Sequence, residues 1–213
     1  AHWEANAASP ASNPLAPRQP HFPARAKHVI FLYMHGGASH IDSFDFKPAL
    51  ERQQGKKLPE SVNTSRNKFN ANLGTILKSP WAFRQYGECG RWVSDLFPHV
   101  GRQADELCVL NSMYSNNNAH VPATLELHTG TQAFMRPSIG AWVNYGLGTE
   151  NQNLPGFITI CPPLAYGGQR NFGAAFLPAV YQGTMVGTNR IPAAEANFSN
   201  IDNRGTNPGS QRK

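Results

Sequence analysis

The chain has 213 residues, enough for one sizeable hydrophobic core. Its net charge is +6, but the basic residues are scattered and are not interleaved with aromatic side chains, so the sequence argues against a nucleic-acid partner. Only 15% of the residues are charged, Gly (19) and Pro (17) are numerous, and no apolar run is long enough to cross a membrane, so we expect a loop-rich protein without a membrane span.

The N-terminal third of the chain predicts one linker and one buried strand. Residues 1–27 read as an extended polyproline II linker, because prolines recur there at every third position. Residues 28–34 form an unbroken apolar run that is typical of a central parallel strand. A short helix over 47–52 and an irregular polar stretch over 53–80 are expected next.

The rest of the chain alternates predicted helices and strands. Residues 92–106 predict a helix capped by Asp95, and 107–110 a second strand, so the order strand, helix, strand implies a parallel pair. After an asparagine turn, Pro122 fits a helix start and Gly130 fits its end. A further helix capped by Ser138, a third strand at 157–160 and a polar, disordered tail are predicted after that.

The loop after the first predicted strand carries a dense group of polar side chains. His35, His40, Asp42 and Asp45 lie within eleven residues and form the mixed nitrogen and oxygen set that suits zinc or manganese. We expect one or two of them to bind metal, with His35 and Asp42 favoured. The alternative is structural: a glycine turn beside His35, with the aspartates as turn or capping residues.

Two other kinds of functional site, a serine esterase site and a cysteine-based zinc or redox site, lack a motif that they require. The "HGG" at 35–37 matches the oxyanion-hole loop of lipases, but no G-x-S-x-G nucleophile elbow occurs in the chain, so a serine esterase is disfavoured. A segment beyond residue 213 that supplied the elbow would reopen that interpretation. The three cysteines form no C-x-x-C pair, which removes the usual zinc and redox motifs.

His120 stands at the predicted start of a helix. Backbone N–H groups and the helix dipole favour an anion at such a place, and we expect Asn118 to contact the same ligand. The alternative is a histidine that only caps or packs. Because His35 and His120 each follow a predicted parallel strand, both should open onto one cleft, within about 15 Å of each other.

These two loops resemble those of the alkaline phosphatase and sulfatase superfamily. There the first strand ends in a metal-binding Asp, and the nucleophile begins a helix that ends in Thr-Gly. Here "HVPAT" and "HTG" take the corresponding places, so the resemblance puts His120 at the nucleophile position and His35 at the position of the strand-end Asp. Pro122 matches the sulfatase motif proline and Thr124 replaces its arginine. Because no Cys or Ser stands at 120, the usual sulfatase mechanism is not implied.

The chain more specifically resembles the domain of unknown function 1501 family, whose members are often labelled sulfatase-like. The stretches that carry this resemblance include "IFLYMHGGASHIDSFDFKP", "KSPWAFRQYGECGRWVSDLFPHV" and "RPSIGAWVNYGLGTENQNLPGFITI". The family resemblance implies an exported protein with a twin-arginine (Tat) signal and about twice this length. It therefore implies that this chain is the N-terminal half of the fold.

Together these inferences predict an incomplete alkaline-phosphatase-like α/β domain, with a mostly parallel sheet flanked by helices and long loops. Residues 1–27 would be the linker, 28–190 the half-domain and 191–213 a disordered tail. The function implied by resemblance is a metal-dependent hydrolase of sulfate or phosphate esters, with His120 catalytic, Asn118 binding substrate, and His35 and Asp42 holding zinc, calcium or manganese. The alternative is a catalytically silent exported protein that binds an anionic glycan or partner.

Overall fold

The computed structural model describes residues 13–58 and 74–196. This part of the chain is a small mixed α/β protein with four α-helices and two two-stranded sheets. The helices are α1 (Pro48–Gln53), α2 (Pro98–Gly101), α3 (His120–Thr129) and α4 (Ile139–Leu147), and the strands are β1 (Phe83–Tyr86), β2 (Arg91–Ser94), β3 (Ile158–Ile160) and β4 (Thr184–Val186). They fall into two compact units, the inserted unit Gly37–Tyr114 and a discontinuous unit built from the described residues up to Gly36 and from Ser115 onward.

The inserted unit contains an antiparallel hairpin. β1 pairs with β2, with Phe83 opposite Ser94 and Tyr86 opposite Arg91. The connecting turn is closed by the Asp105 carboxylate, which accepts the backbone N–H groups of Glu88 at 3.0 Å and Cys89 at 2.9 Å. These bonds stabilise the ionised form, so they hold the pKa of Asp105 below its usual range.

Aromatic side chains and one buried serine join the hairpin to the loop before α1. Phe46 packs against Phe83 and Trp92, with ring centroids 5.1 and 4.6 Å apart. Ser94 is fully buried; its backbone N–H donates to the carbonyl oxygen of Ser43, and its hydroxyl donates to that of Asp42 at 2.6 Å. The loop over 39–45 is therefore fixed by backbone and side-chain hydrogen bonds.

In the discontinuous unit, α3 and α4 begin and end near the predicted positions. α3 ends at Gly130, whose φ of +72° allows its N–H to reach the carbonyl oxygen of Glu126 at 2.8 Å. Pro122 is the third helical residue of α3 rather than the first. α4 follows Ser138, as predicted, although the Ser138 hydroxyl makes no capping hydrogen bond.

The parallel strands β3 and β4 pack near α4 through one phenylalanine. Ile158 stands opposite Thr184, and the Thr184 N–H donates to the carbonyl oxygen of Phe157 at 2.9 Å. A Cβ atom at Gly140 of α4 would lie only 2.6 Å from the Phe157 ring, and one at Gly183 only 2.9 Å from it. The close approach of the ring to the helix therefore depends on residues without side chains.

The described part of the predicted linker, residues 13–27, has no helix or strand. Its first residues are nevertheless hydrogen-bonded to the C-terminal end of α4 and the residues after it. The Arg18 N–H donates to the carbonyl oxygen of Leu147, and the Thr149 N–H donates to that of Leu15, both at 2.9 Å. The Leu15 side chain packs against the buried cluster of Ala141, Ala174 and Tyr181. This N-terminal segment is thus part of the packed unit.

The first predicted strand does not form. Residues 28–34 lie in no helix or strand and pair with no strand among the described residues, and most of their apolar side chains are exposed, with Ile30 81% and Leu32 88% exposed. Residues 107–110 are likewise outside any described strand, so the predicted parallel pair was wrong. An apolar run becomes a strand only when a neighbouring strand satisfies its backbone groups, and within 13–58 and 74–196 these segments have no such neighbour.

The remaining predictions are mixed. The short helix near 47–52 is confirmed as α1, and 157–160 largely as β3. The predicted helix over 92–106 was wrong in its first half, because 92–94 pair in β2 and the α-helix is only Pro98–Gly101. The sheets are one antiparallel and one parallel pair rather than one mostly parallel sheet. Most of the predicted irregular stretch 53–80 and of the tail lies outside the described residues.

Candidate functional site

Residues 31–35 run alongside α3 in the opposite direction. The Phe31 and Tyr33 rings meet the His128 ring at centroid distances of 5.3 and 4.8 Å, near the end of the helix. One turn nearer its start, the Tyr33 hydroxyl is hydrogen-bonded to the hydroxyl of Thr124 at 2.7 Å. His35, two residues after Tyr33, lies near the N-terminus of α3.

Tyr166 joins His35 to His120. The Tyr166 ring lies 5.1 Å from the His35 ring and 5.6 Å from the His120 ring, measured between centroids, and it meets His120 edge-on. The two imidazoles cannot be further apart than the sum of those distances, which is below the expected ~15 Å. The structure therefore brings the two histidines together, through a tyrosine and not through a pair of parallel strands.

The start of α3 is shaped by Asn117. Its side-chain oxygen accepts the N–H of Ala119 at 2.8 Å, and its amide donates to the side chain of Gln132 at 3.2 Å. No side-chain hydrogen bond caps the helix at Ala119, and the N–H groups of His120 and Val121 have no hydrogen-bond partner among the described residues. Asn118 and His120 are exposed beside them. We call His35, Asn118, His120 and Tyr166 the α3 N-terminal cluster.

Two titratable side chains further along α3, His128 and Glu126, have structural roles. Burial lowers the pKa of His128, because the protein interior disfavours the charged imidazolium. Hydrogen bonds from Ser115 and then from Gln132 hold the pKa of Glu126 below its usual range. Both side chains act as helix-face residues that fix neighbouring segments.

The other predicted metal-site residues lie in the inserted unit and are described there on their own. Hydrogen bonds from the hydroxyls of Ser39 and Ser79 hold the pKa of Asp42 below its usual range. Asp45 pairs with Lys47 at 2.7 Å. Among the described residues, no three His, Cys, Asp or Glu side chains converge on one point.

A model of a known protein family matches most of this chain. The family described as "Protein of unknown function (DUF1501)" matches residues 26–212. The chain belongs to the DUF1501 family. The matched range of this DUF1501 chain includes all of the α3 N-terminal cluster. No curated protein and no solved structure matches the sequence. None of the described helices has the length and apolar character needed to cross a bilayer.

The cluster in this DUF1501 protein can offer hydrogen-bond donors to an anion. The N–H groups of the first turn of α3, the His120 imidazole and the Tyr166 hydroxyl are all donors of the kind that bind acid groups. Sequence reasoning found His35, Asn118 and His120 but missed Asn117 and Tyr166. An asparagine two residues before a helix start was a usable signal for Asn117. No local pattern marks Tyr166, which lies in a glycine-rich loop.

Proposed function

We propose that the α3 N-terminal cluster binds the acid group of an anionic ester, and that the protein is part of an exported hydrolase of sulfate or phosphate esters. The observation that carries the proposal is the contact of His35 and His120 with the same Tyr166 ring, beside an uncapped helix start. Such a helix start attracts negative charge, and nearby imidazoles add donors.

In this proposal His120 is the residue closest to the chemistry. It occupies the nucleophile position that the sulfatase resemblance assigns, and its imidazole would either attack the ester or hold the acid group. The first four helical residues, His120–Ala123, include no hydroxyl or thiol. The next hydroxyl, on Thr124, is 4% exposed and already bonded to Tyr33.

A divalent metal ion, either zinc, calcium or manganese, remains part of the proposal. The ion would polarise the ester oxygen and neutralise developing charge. Two residues fit such a role by their own chemistry. His35, in the discontinuous unit, is exposed and offers a nitrogen ligand; Asp42, in the inserted unit, offers a carboxylate, an oxygen ligand of the kind that binds such cations.

A second function, binding without catalysis, is favoured by one specific observation. The first turn of α3 lacks a serine, threonine or cysteine, and the Thr124 hydroxyl is turned toward Tyr33. In that case the cluster would hold an anionic glycan or the acidic group of a partner and leave it unchanged.

The test compares two single substitutions for binding and for turnover. His120→Ala removes the proposed contact, and His21→Ala, another exposed histidine of the same unit, serves as the control. Binding of inorganic sulfate to the 213-residue chain is followed by NMR. Hydrolysis of 4-nitrophenyl sulfate and phosphate is followed, with zinc, calcium or manganese added, in a full-length DUF1501 family member that carries the same substitutions.

The outcomes separate the two functions. Loss of both hydrolysis and sulfate binding in His120→Ala, but not in His21→Ala, supports the hydrolase. Sulfate binding that depends on His120, with no turnover by the full-length family member under any metal, supports the binding protein. Sulfate binding and turnover that survive His120→Ala unchanged would remove the cluster from the proposal.

A further inference from the structure

A second candidate site lies at the opposite end of α3. A cleft of about 150 Å³ is lined on one side by the segment that follows the helix, including Phe134 and Arg136. The other side is formed by Gln169, Arg170 and Gln182. The ten-residue α3 separates this cleft from His120 by a helix rise of about 13 Å, so it is distinct from the α3 N-terminal cluster.

Hydrogen bonds tie the two sides of the cleft together. The Arg170 guanidinium donates from Nη2 to the carbonyl oxygen of Ala133 at 3.3 Å. The Ser138 N–H donates to the carbonyl oxygen of Gly173 at 3.0 Å, directly after the fully buried Pro137. Arg136 therefore extends from a backbone that is anchored on its C-terminal side, and Arg170 is held across the cleft.

The charge of the cleft favours an anion. Two arginines, Arg136 and Arg170, are among the residues that line it, and none of the described residues that line it is acidic. Guanidinium groups bind sulfate, phosphate and carboxylate through paired N–H donors. The side-chain amides of Gln169 and Gln182 add neutral donors at the same place.

The cleft also has an apolar part. Phe134 and Met135 line it and are 70% and 72% exposed, so their surfaces remain available for contact. A cavity of about 150 Å³ is large enough for one six-membered ring. Ala175, which also lines the cleft, has a φ of +48°, a backbone conformation that residues other than glycine rarely adopt.

We propose that the Arg136–Arg170 cleft binds a small organic anion, a single ring that carries a sulfate, sulfonate, phosphate or carboxylate group. The acid group lies between the two guanidinium groups, and one face of the ring contacts Phe134 and Met135. This site neither requires nor excludes hydrolysis at the α3 N-terminal cluster.

The test uses two ligands that differ only in charge. Benzenesulfonate carries the ring and the acid group, and benzenesulfonamide carries the same ring without the charge. Binding of each to the 213-residue chain is measured by NMR titration and calorimetry. We expect benzenesulfonate to bind at least about tenfold more tightly than the sulfonamide, because charge-assisted hydrogen bonds to guanidinium are lost with the charge.

Four substitutions locate the binding. Arg136→Gln and Arg170→Gln should each raise the Kd for benzenesulfonate about tenfold, and Arg170→Lys should fall between because it keeps the charge without the planar fork. Arg190→Gln removes one exposed charge from the same unit outside the cleft and should change the Kd less than about twofold. Amide spectra confirm that each variant is folded.

Three results would overturn the proposal. Equal losses in Arg190→Gln and Arg136→Gln would mean general attraction to a basic surface. Equal affinities for the two ligands would mean an apolar cavity without anion recognition. Loss of benzenesulfonate binding in His120→Ala, with the arginine variants unaffected, would place the ligand at the α3 N-terminal cluster, so failure here is distinguishable from failure of the proposed function.

Discussion

At the residue scale, Tyr33 connects the exposed segment 28–34 to the helix that carries the candidate site. Its hydroxyl bonds to Thr124, which is almost fully buried, and its ring packs against His128. A buried hydroxyl that loses its partner is penalised, because it gives up hydrogen bonding to water without a replacement. Tyr33 therefore holds the segment that leads to His35 against α3.

Tyr33→Phe should lower the free energy of unfolding by about 1 kcal/mol, because the ring contacts remain and only the hydroxyl bond is lost. The measurement is urea denaturation followed by circular dichroism. Tyr145→Phe is the matched control, since the Tyr145 hydroxyl bonds to no described residue. Equal stability of the two variants would show that the Tyr33–Thr124 bond contributes nothing net.

Asp105 predicts a pH dependence. Its folded-state pKa lies below the unfolded value near 3.9, so its contribution to stability is complete above that value and is lost as the pH falls through the folded pKa. Asp105→Asn should be less stable than the unsubstituted chain at pH 7, and the difference should shrink between about pH 5 and pH 2. Urea midpoints across that range measure it.

The control for this experiment is Asp95→Asn, which alters an exposed aspartate of the same unit whose carboxylate accepts no hydrogen bond from the described residues. Its curve should run parallel to that of the unsubstituted chain. A constant gap between Asp105→Asn and the unsubstituted chain at all pH values would contradict the assigned role of the Asp105 carboxylate.

The position of the helix that carries His120 could be predicted from the sequence because its signals are local. Pro122 and Gly130 delimit a helix, so His120 and Asn118 had to lie at its start. Tyr166 could not be found in this way, because a contact between two distant segments leaves no local pattern. The expected proximity of His35 and His120 rested on a parallel strand pair that does not form, although both residues pack against Tyr166.

At the element scale, two glycines at or near helix ends predict opposite effects. Gly130 ends α3 with a φ of +72°, and Gly146 lies inside α4 with ordinary helical φ and open space around the place of a Cβ atom. Gly130→Ala should cost about 1 kcal/mol, and Gly146→Ala should stabilise by about 0.5–1 kcal/mol. Thermal and urea denaturation of both variants measure the change in the free energy of unfolding. A change of the same sign in both variants would contradict these helix assignments.

The helices were more predictable than the strands for a physical reason. The ends of α3 and α4 follow from residues directly beside them, as with Gly130, whose N–H closes α3, although the Ser138 hydroxyl before α4 makes no capping hydrogen bond. A strand depends on a partner elsewhere, so the apolar run 28–34 predicted a strand that is not formed. The β1–β2 hairpin was not predicted, although Gly87 and Gly90 flank its turn. Asp95 and Pro98 favoured a helix in the same stretch.

At the scale of the whole molecule, the described hydrophobic core is small. Seven apolar residues are buried, and three of them are alanines, while Ile30 and Leu32 are almost fully exposed. Exposed apolar stretches of this kind associate or bind other apolar surfaces. The alkaline-phosphatase-like architecture therefore remains a proposal, since one three-residue parallel pair is much less than the sheet which that fold requires.

We expect the 213-residue chain to bind a hydrophobic dye and to associate as its concentration rises. Replacing Ile30 and Leu32 together by Lys should reduce dye binding, because both side chains face solvent. Fluorescence titration and sedimentation velocity measure the two effects. A monomer with a sharp two-state transition and a denaturant slope normal for its size would contradict the expectation.

The division into two units also has a consequence for synthesis. The inserted unit is continuous, whereas the other unit needs Leu15 and Arg18 to meet Leu147 and Thr149. At about 5–20 residues per second, the ribosome takes on the order of ten seconds to make the stretch between those partners. Until then, the apolar run at 28–34 is outside the ribosome without α3 beside it, and it is the segment of the nascent protein that a chaperone is best placed to protect.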